Sequence, residues 1–110
     1  MAIKLKNNAM GNLATSISAS DLAITLQANQ GALFPTLSAG DYFYGTLENT
    51  DGSYEIVKVT ARTGDSMVIV RAQEGTLVNG FATGARFSIR VTVQNLLDVV
   101  NSNEDYGSIA

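Results

Sequence analysis

Short runs in which apolar and polar residues alternate constrain the fold of this chain more than any other feature. Between residues 87 and 93, one Phe, one Ile and two Val alternate with Ser, Arg and Thr. A period of two places the apolar side chains on one face of a β-strand. Asp51-Gly52 separates two further runs, and Asp-Gly is a strong hairpin signal because glycine accepts a positive φ. The pattern predicts a mainly β fold.

A β-meander is predicted in the middle of the chain. Three runs rich in β-branched and aromatic residues, 41–48, 54–62 and 67–71, are separated by short turn segments at 49–53 and 63–65. Alternation in the second run places four side chains on one face: Glu55, Val57, Val59 and Ala61. With further strands on either side, the sequence predicts a small antiparallel β-barrel or sandwich of about six strands.

The hydrophobic period changes near the C-terminus. Apolar residues recur there at i, i+3, i+4 and i+7, which is one face of a helix, and Thr92 can serve as its N-cap. We therefore predict a short C-terminal helix with the apolar face Val93, Leu96, Leu97 and Val100. This face either plugs the barrel or mediates oligomerisation.

The predicted domain organisation has three parts. Residues 1–13 form an N-terminal arm, and residues 14–101 form a single β domain that includes the helix. Residues 102–110 are a polar tail that is either flexible, as termini usually are, or bound along a partner. A chain of 110 residues has room for one modest core.

Composition and charge narrow the possible functions. The chain contains no His and no Cys, and its net charge is −3. No His is present to activate a hydroxyl nucleophile, so we expect no catalytic residues, no cofactor and no metal site. The seven basic residues are dispersed, which argues against binding to nucleic acid. No 18-residue apolar run or signal-peptide pattern is present, so we expect no membrane association.

A low content of charged residues points to a covered surface. Charged residues make up 15% of the chain, below the usual quarter. Obligate interfaces are depleted in charge, so part of the surface is expected to contact a partner. The alternative is a neutral surface of small polar residues with no partner.

Two polar constellations offer weaker alternatives. Asn49, Asp51, Ser53 and Glu55 alternate oxygen ligands, but their spacing differs from the twelve-residue calcium loop. Glu48 and Glu55 are two carboxylates that the hairpin could bring face to face, as a glycosidase requires. A polar hairpin tip explains the same residues without any chemistry.

Candidate interface residues lie in three places. If Phe43 faces the core, Tyr42 and Tyr44 project outward as a contact patch, because neighbouring strand residues point to opposite faces; the alternative is a strand covered on both sides. The second place is the helix face Leu96, Leu97 and Val100. The third is the tail, with Tyr106 and Ile109 as anchors.

Three segments of the chain resemble a known family. They are 40–47, 54–60 and 70–76, and the most specific is Arg-Ala-Gln-Glu-Gly-Thr at residues 71–76. Together with the Ala/Gly-rich stretch 81–84, they resemble small β modules of tailed-bacteriophage virion proteins, found at the particle-proximal end of tail fibres and related appendages. The resemblance covers residues 14–100.

The resemblance implies a non-enzymatic structural protein of the virion, synthesised in the bacterial host cytoplasm. The chain ends after the predicted helix and tail, without a fibre shaft, which favours an attachment or adaptor role at the tail or neck over receptor recognition. Its partners would be other virion proteins and further copies of itself, with trimers usual for fibres. The alternatives are a head-decoration protein and, in a different class, a small carbohydrate- or calcium-binding module that uses the hairpin tips.

Overall fold

A computed structural model describes residues 3–4 and 9–90. They form one six-stranded antiparallel sheet and a short 3-10 helix, Gln30–Leu33. The order across the sheet is β1-β6-β3-β4-β5-β2. The strands are β1 Met10–Asn12, β2 Ala23–Thr25, β3 Phe43–Glu48, β4 Tyr54–Thr63, β5 Ser66–Gln73 and β6 Arg86–Ser88.

The predicted meander is confirmed. Strands β3, β4 and β5 are adjacent in the sheet and joined by tight turns. The β4–β5 turn contains only Gly64 and Asp65 between the paired residues Thr63 and Ser66, and Gly64 has φ 60°. A side chain at Gly64 would be strained by this φ, which explains the glycine at the turn.

The sheet curls into a half-barrel. Its edge strands β1 and β2 approach each other, and a single antiparallel bridge joins Leu13 to Leu26 just beyond their ends. A second bridge, between Ile17 and Phe81, extends the pairing of β1 with β6 in the same register. The curl encloses the inner face of the sheet and reduces the unpaired edge that each outer strand would otherwise expose.

An aromatic cluster fills part of the enclosed core. The Phe34 ring stacks on Phe43 and Phe87, with ring centroids 5.9 and 5.2 Å apart. Phe34 follows the 3-10 helix and is almost fully buried, whereas its neighbour Leu33 is exposed. Gly45 lies directly under the Phe87 ring, where a Cβ would clash with the ring atoms.

The predicted fold class is confirmed at the level of a mainly β, six-stranded antiparallel structure. The predicted C-terminal helix at residues 93–100 and the tail at 102–110 lie outside the described residues. Part of the predicted N-terminal arm belongs to the domain itself, since Met10–Asn12 forms β1. Ala9 and Leu13 are buried in the core beside it, because the inner face of β1 completes the enclosure.

Candidate functional site

A buried ion pair joins the inner faces of β4 and β5. Alternation along β4 turns Glu55 inward beside Val57, and alternation along β5 turns Arg71 inward beside Ile69. The Arg71 guanidinium donates two hydrogen bonds to the Glu55 carboxylate, from Nε to Oε2 at 2.9 Å and from Nη2 to Oε1 at 2.8 Å. The Glu55 side chain is fully buried and the Arg71 side chain nearly so. Such bidentate pairing fixes both position and orientation.

Arg71 also binds the backbone of two loops. Its Nη1 donates to the carbonyl oxygens of Ser18 and Asp21, at 2.8 and 2.7 Å. Its Nη2 donates to the carbonyl oxygen of Asn79 at 2.6 Å. One side chain therefore connects β5 to the 18–21 turn and to the loop after β5.

Glu55 completes the network by accepting hydrogen bonds from two backbone N–H groups. The N–H of Ala72 donates to Oε2 at 2.7 Å and the N–H of Asn79 donates to Oε1 at 2.9 Å. Burial raises the pKa of Glu55, but the hydrogen bonds from Arg71, Ala72 and Asn79 and the charge of Arg71 outweigh it, so the pKa lies below its ordinary value. The carboxylate is therefore ionised at neutral pH. We call these contacts the Glu55–Arg71 network.

The segment Arg71 to Thr76 has the backbone that this network requires. Between Val70 and Gln73 the pairing with β4 shifts by one residue. Ala72 takes a left-handed conformation with φ 55° at this shift, as expected for a β-bulge. Glu74 and Gly75 also have positive φ and turn the chain out of the strand.

Thr76 secures the turn that follows the bulge. Its Oγ1 donates to the Gln73 carbonyl at 2.7 Å and accepts the Ile56 N–H at 3.1 Å. The loop is thus hydrogen-bonded to β4 at Thr76 and again at Asn79. A third hydrogen bond joins it to Asn49, whose Nδ2 donates to the Gly80 carbonyl at 3.0 Å.

The loop after β5, although hydrogen-bonded to the sheet, exposes apolar side chains. Leu77 retains 82% of its accessible surface and Val78 retains 50%. Together with the half-exposed Tyr54 they line an open groove of about 570 Å³ between the loop and the β3–β4 hairpin. We call it the loop groove; its lining is Gly52, Ser53, Tyr54, Glu74, Gly75, Thr76, Leu77, Val78 and Asn79.

A second exposed apolar surface lies on the outer face of the sheet. Val68 and Val70 point outward from β5 and are about half exposed. Val68 lies opposite Ala23 on one side and Ala61 on the other, and Lys58 lies opposite Val70. We call Ala23, Ala61, Val68 and Val70 the outer apolar face.

The predicted tyrosine patch retains little accessible surface. Phe43 points into the core, which places Tyr42 and Tyr44 on the opposite face of β3. Their rings meet edge to face at 5.7 Å, and Lys58 Nζ lies 4.4 Å from the centroid of the Tyr42 ring. Tyr44 is only 7% exposed and Tyr42 is half-buried, so a role in an interface stays a prediction. The other candidates, Leu96, Leu97, Val100, Tyr106 and Ile109, lie outside the described residues.

The geometry does not support the two weaker polar alternatives, the pair of catalytic carboxylates and the calcium site. Glu48 lies opposite Tyr54 in the sheet, whereas Glu55 lies opposite Leu47 and points inward, so the two carboxylates do not face each other. Glu48 instead pairs with Arg90 at 2.6 Å. The residues of the calcium alternative do not form a common site either, because Glu55 is bound to Arg71; within residues 3–4 and 9–90, His, Cys, Asp and Glu form no group of three that could hold a metal.

Sequence reasoning missed the ion pair and the exposed loop. A charged residue in an otherwise apolar inward register, as Glu55 is beside Val57 and Val59, needs a buried partner. That signal was present, but nothing in the spacing identified Arg71 as the partner. Leu77-Val78 in a glycine-rich loop was a second signal, since such an apolar pair has no strand in which to be buried.

Among the described residues, no helix is long and apolar enough to cross a bilayer. Comparison of the chain with models of protein families and with curated proteins found no match.

Proposed function

We propose that this protein is a non-enzymatic structural component of a tailed-bacteriophage particle, acting as an attachment or adaptor module at the tail or neck. The observation that carries the proposal is the role of residues 71–76, the segment with the most specific resemblance to virion modules. Arg71, Ala72 and Thr76 each make hydrogen bonds that fix the loop after β5. A structural role for residues 71–76 is consistent with a protein that binds neighbouring proteins in a particle and catalyses no reaction.

The distribution of exposed apolar residues supports docking. Monomeric domains expose single apolar side chains routinely, whereas a contiguous group indicates a contact surface. The outer apolar face groups four apolar residues on one side of the sheet, with Lys58 opposite Val70 at its border. This surface suits contact with a further copy of the chain or with another virion protein.

Immunogold labelling tests the proposal, with an antibody against this protein applied to purified virions whose genome encodes it. We expect labelling at the tail or neck. Labelling over the head would favour the alternative of a decoration protein, and particles without the chain by mass spectrometry would contradict both roles.

Light scattering on the purified protein tests whether the outer apolar face associates. We expect an oligomer, with three copies the first expectation, and a shift to monomer in Val70→Asp. The matched variant Thr83→Asp places the same charge on an exposed loop outside this face and should leave the mass unchanged. A monomeric wild-type protein would exclude self-association through this surface.

A further inference from the structure

The loop groove has the features of a prepared docking site. Binding a flexible apolar loop costs conformational entropy, which reduces affinity. Here the chain is already hydrogen-bonded to β4 on both sides of Leu77 and Val78, because Thr76 Oγ1 accepts the Ile56 N–H and the Asn79 N–H donates to Glu55 Oε1. The backbone that carries the exposed apolar side chains is therefore positioned before any partner arrives.

Three polar side chains of the groove, those of Ser53, Thr76 and Asn79, already make hydrogen bonds within the protein. Ser53 Oγ donates to Asp51 Oδ1 at 2.7 Å and lies 3.1 Å from Asn49 Nδ2. Thr76 Oγ1 bonds to backbone groups at 2.7 and 3.1 Å, and Asn79 Oδ1 accepts the Gly80 N–H at 2.9 Å. A sugar needs polar groups that can rearrange toward its hydroxyls, so the groove favours an apolar ligand.

Charge at the rim is acidic. Glu74 lines the groove, Asp51 directly precedes the lining residue Gly52, and no Lys or Arg lines the groove. Hydrogen bonds from the Ser53 hydroxyl and backbone lower the pKa of Asp51, so its carboxylate is ionised at neutral pH. Opposite charge at a rim steers a partner and selects its orientation.

We propose that the loop groove binds a short segment of a partner protein that places an apolar side chain against Tyr54 and Leu77, with Lys or Arg on either side facing Glu74 and Asp51. The inference goes beyond the proposed function, because it depends only on the lining of the groove and on its charge. It specifies a partner sequence of alternating basic and apolar character.

Amide chemical-shift titration of the full chain tests this site with three acetylated, amidated pentapeptides: Gly-Lys-Leu-Lys-Gly, Gly-Glu-Leu-Glu-Gly and Gly-Lys-Ser-Lys-Gly. We expect the first to shift Tyr54 and the amides of 74–79 in a saturable way. The glutamate peptide should bind at least about fivefold more weakly, since two rim charge pairs are lost and replaced by repulsion. The serine peptide should lose binding because it has no apolar side chain.

Two variants locate the response. Leu77→Ser should abolish it, whereas Leu22→Ser, which removes another exposed leucine that does not line the groove, should leave it unchanged. Equal responses to all three peptides, no response, or shifts that survive in Leu77→Ser would overturn the proposal. A response to N-acetylglucosamine oligomers without one to the lysine–leucine peptide would also overturn it, as would a change of mass in solution caused by Leu77→Ser. Peptide binding by a protein absent from virions would leave this site standing and reject the particle role.

Discussion

Two parts of the same core are held by different forces. The aromatic cluster of Phe34, Phe43 and Phe87 is stabilised by ring packing and by removal of apolar surface from water. The Glu55–Arg71 network is stabilised by hydrogen bonds whose partners are mostly loop backbone atoms.

This difference separates two tasks. Packing is non-directional and fills space, so it holds the sheet and the segment at Phe34 together. Hydrogen bonds have direction, so the network determines where the 18–21 turn and the 74–79 loop lie. This small domain therefore uses apolar packing to fold and a buried ion pair to position its exposed loops.

The largest expected effect comes from breaking the ion pair on one side. Glu55→Ala leaves the Arg71 charge buried without its partner, and we expect a loss of about 3–5 kcal/mol in the free energy of unfolding. Urea denaturation of the variant measures it. The double variant Glu55→Leu/Arg71→Leu should lose less, because no uncompensated charge remains. A loss below about 1 kcal/mol in Glu55→Ala would show that the pair contributes no more than a surface ion pair.

The aromatic cluster should respond to added volume. Gly45→Ala places a methyl group against the Phe87 ring, and overpacking of this kind costs about 1–3 kcal/mol. Gly52→Ala is the control for loss of a glycine with space around it, although its positive φ adds local strain. We expect amide exchange to increase around Phe87 in Gly45→Ala and to stay unchanged at Asn79. An equal increase in amide exchange around Phe87 and at Asn79 would contradict the claim that the aromatic cluster and the Glu55–Arg71 network are stabilised independently.

Acid should weaken the polar part selectively. The folded-state pKa of Glu55 is below its unfolded value, so its contribution to stability is complete above the unfolded pKa and is lost as pH falls through the folded pKa. The free energy of unfolding of the wild type should therefore fall more steeply below about pH 4.3, the ordinary value for Glu, than that of Glu55→Gln. Asp51 is present in both proteins and cancels in the comparison. Parallel pH curves would show that the pKa of Glu55 is the same in both states.

Substitutions of the exposed apolar residues are expected to have the smallest effects on the free energy of unfolding. Leu77→Ser and Val70→Ser should each change the free energy of unfolding by less than about 0.5 kcal/mol, because neither side chain is buried. Thermal and urea denaturation of the two variants check this. A loss above about 1 kcal/mol in either variant would mean that these residues serve the fold, and the docking surfaces would then need another explanation.

The sequence predicted the strands that carry a local signal. Alternation and the turn glycines were sufficient to identify β3, β4 and β5, since each feature acts within a few residues. The predicted face of Ala61 was wrong, because a shift in the pairing between Val59 and Ala61 turns Ala61 to the outer face. These local features were insufficient for β1, which has only Gly11 and Asn12 after Met10 and pairs with β6 more than 70 residues away. A strand this short is defined by its neighbour in the sheet and leaves little pattern of its own.

The site was predictable only in part, for a related reason. The inward register of Glu55 followed from alternation along β4, but its pairing with Arg71 depends on the bulge at Ala72 and on how β4 and β5 align. Leu33 and Phe34 are adjacent apolar residues with opposite burial, because the chain turns Phe34 into the core directly after the 3-10 helix and leaves Leu33 exposed. Nothing in the sequence of this pair distinguishes the two positions.

Amide hydrogen exchange at Asn79 in the intact chain tests most directly whether the Glu55–Arg71 network fixes the loop. Its N–H donates to Glu55 Oε1, so we predict strong protection in the wild type and loss of protection in Glu55→Leu/Arg71→Leu, which removes the acceptor without leaving a buried charge, while Val57 and Val59 on the same strand stay protected. Exchange of Asn79 at the rate of an unstructured peptide in the wild type, or unchanged protection in the double variant, would contradict the account.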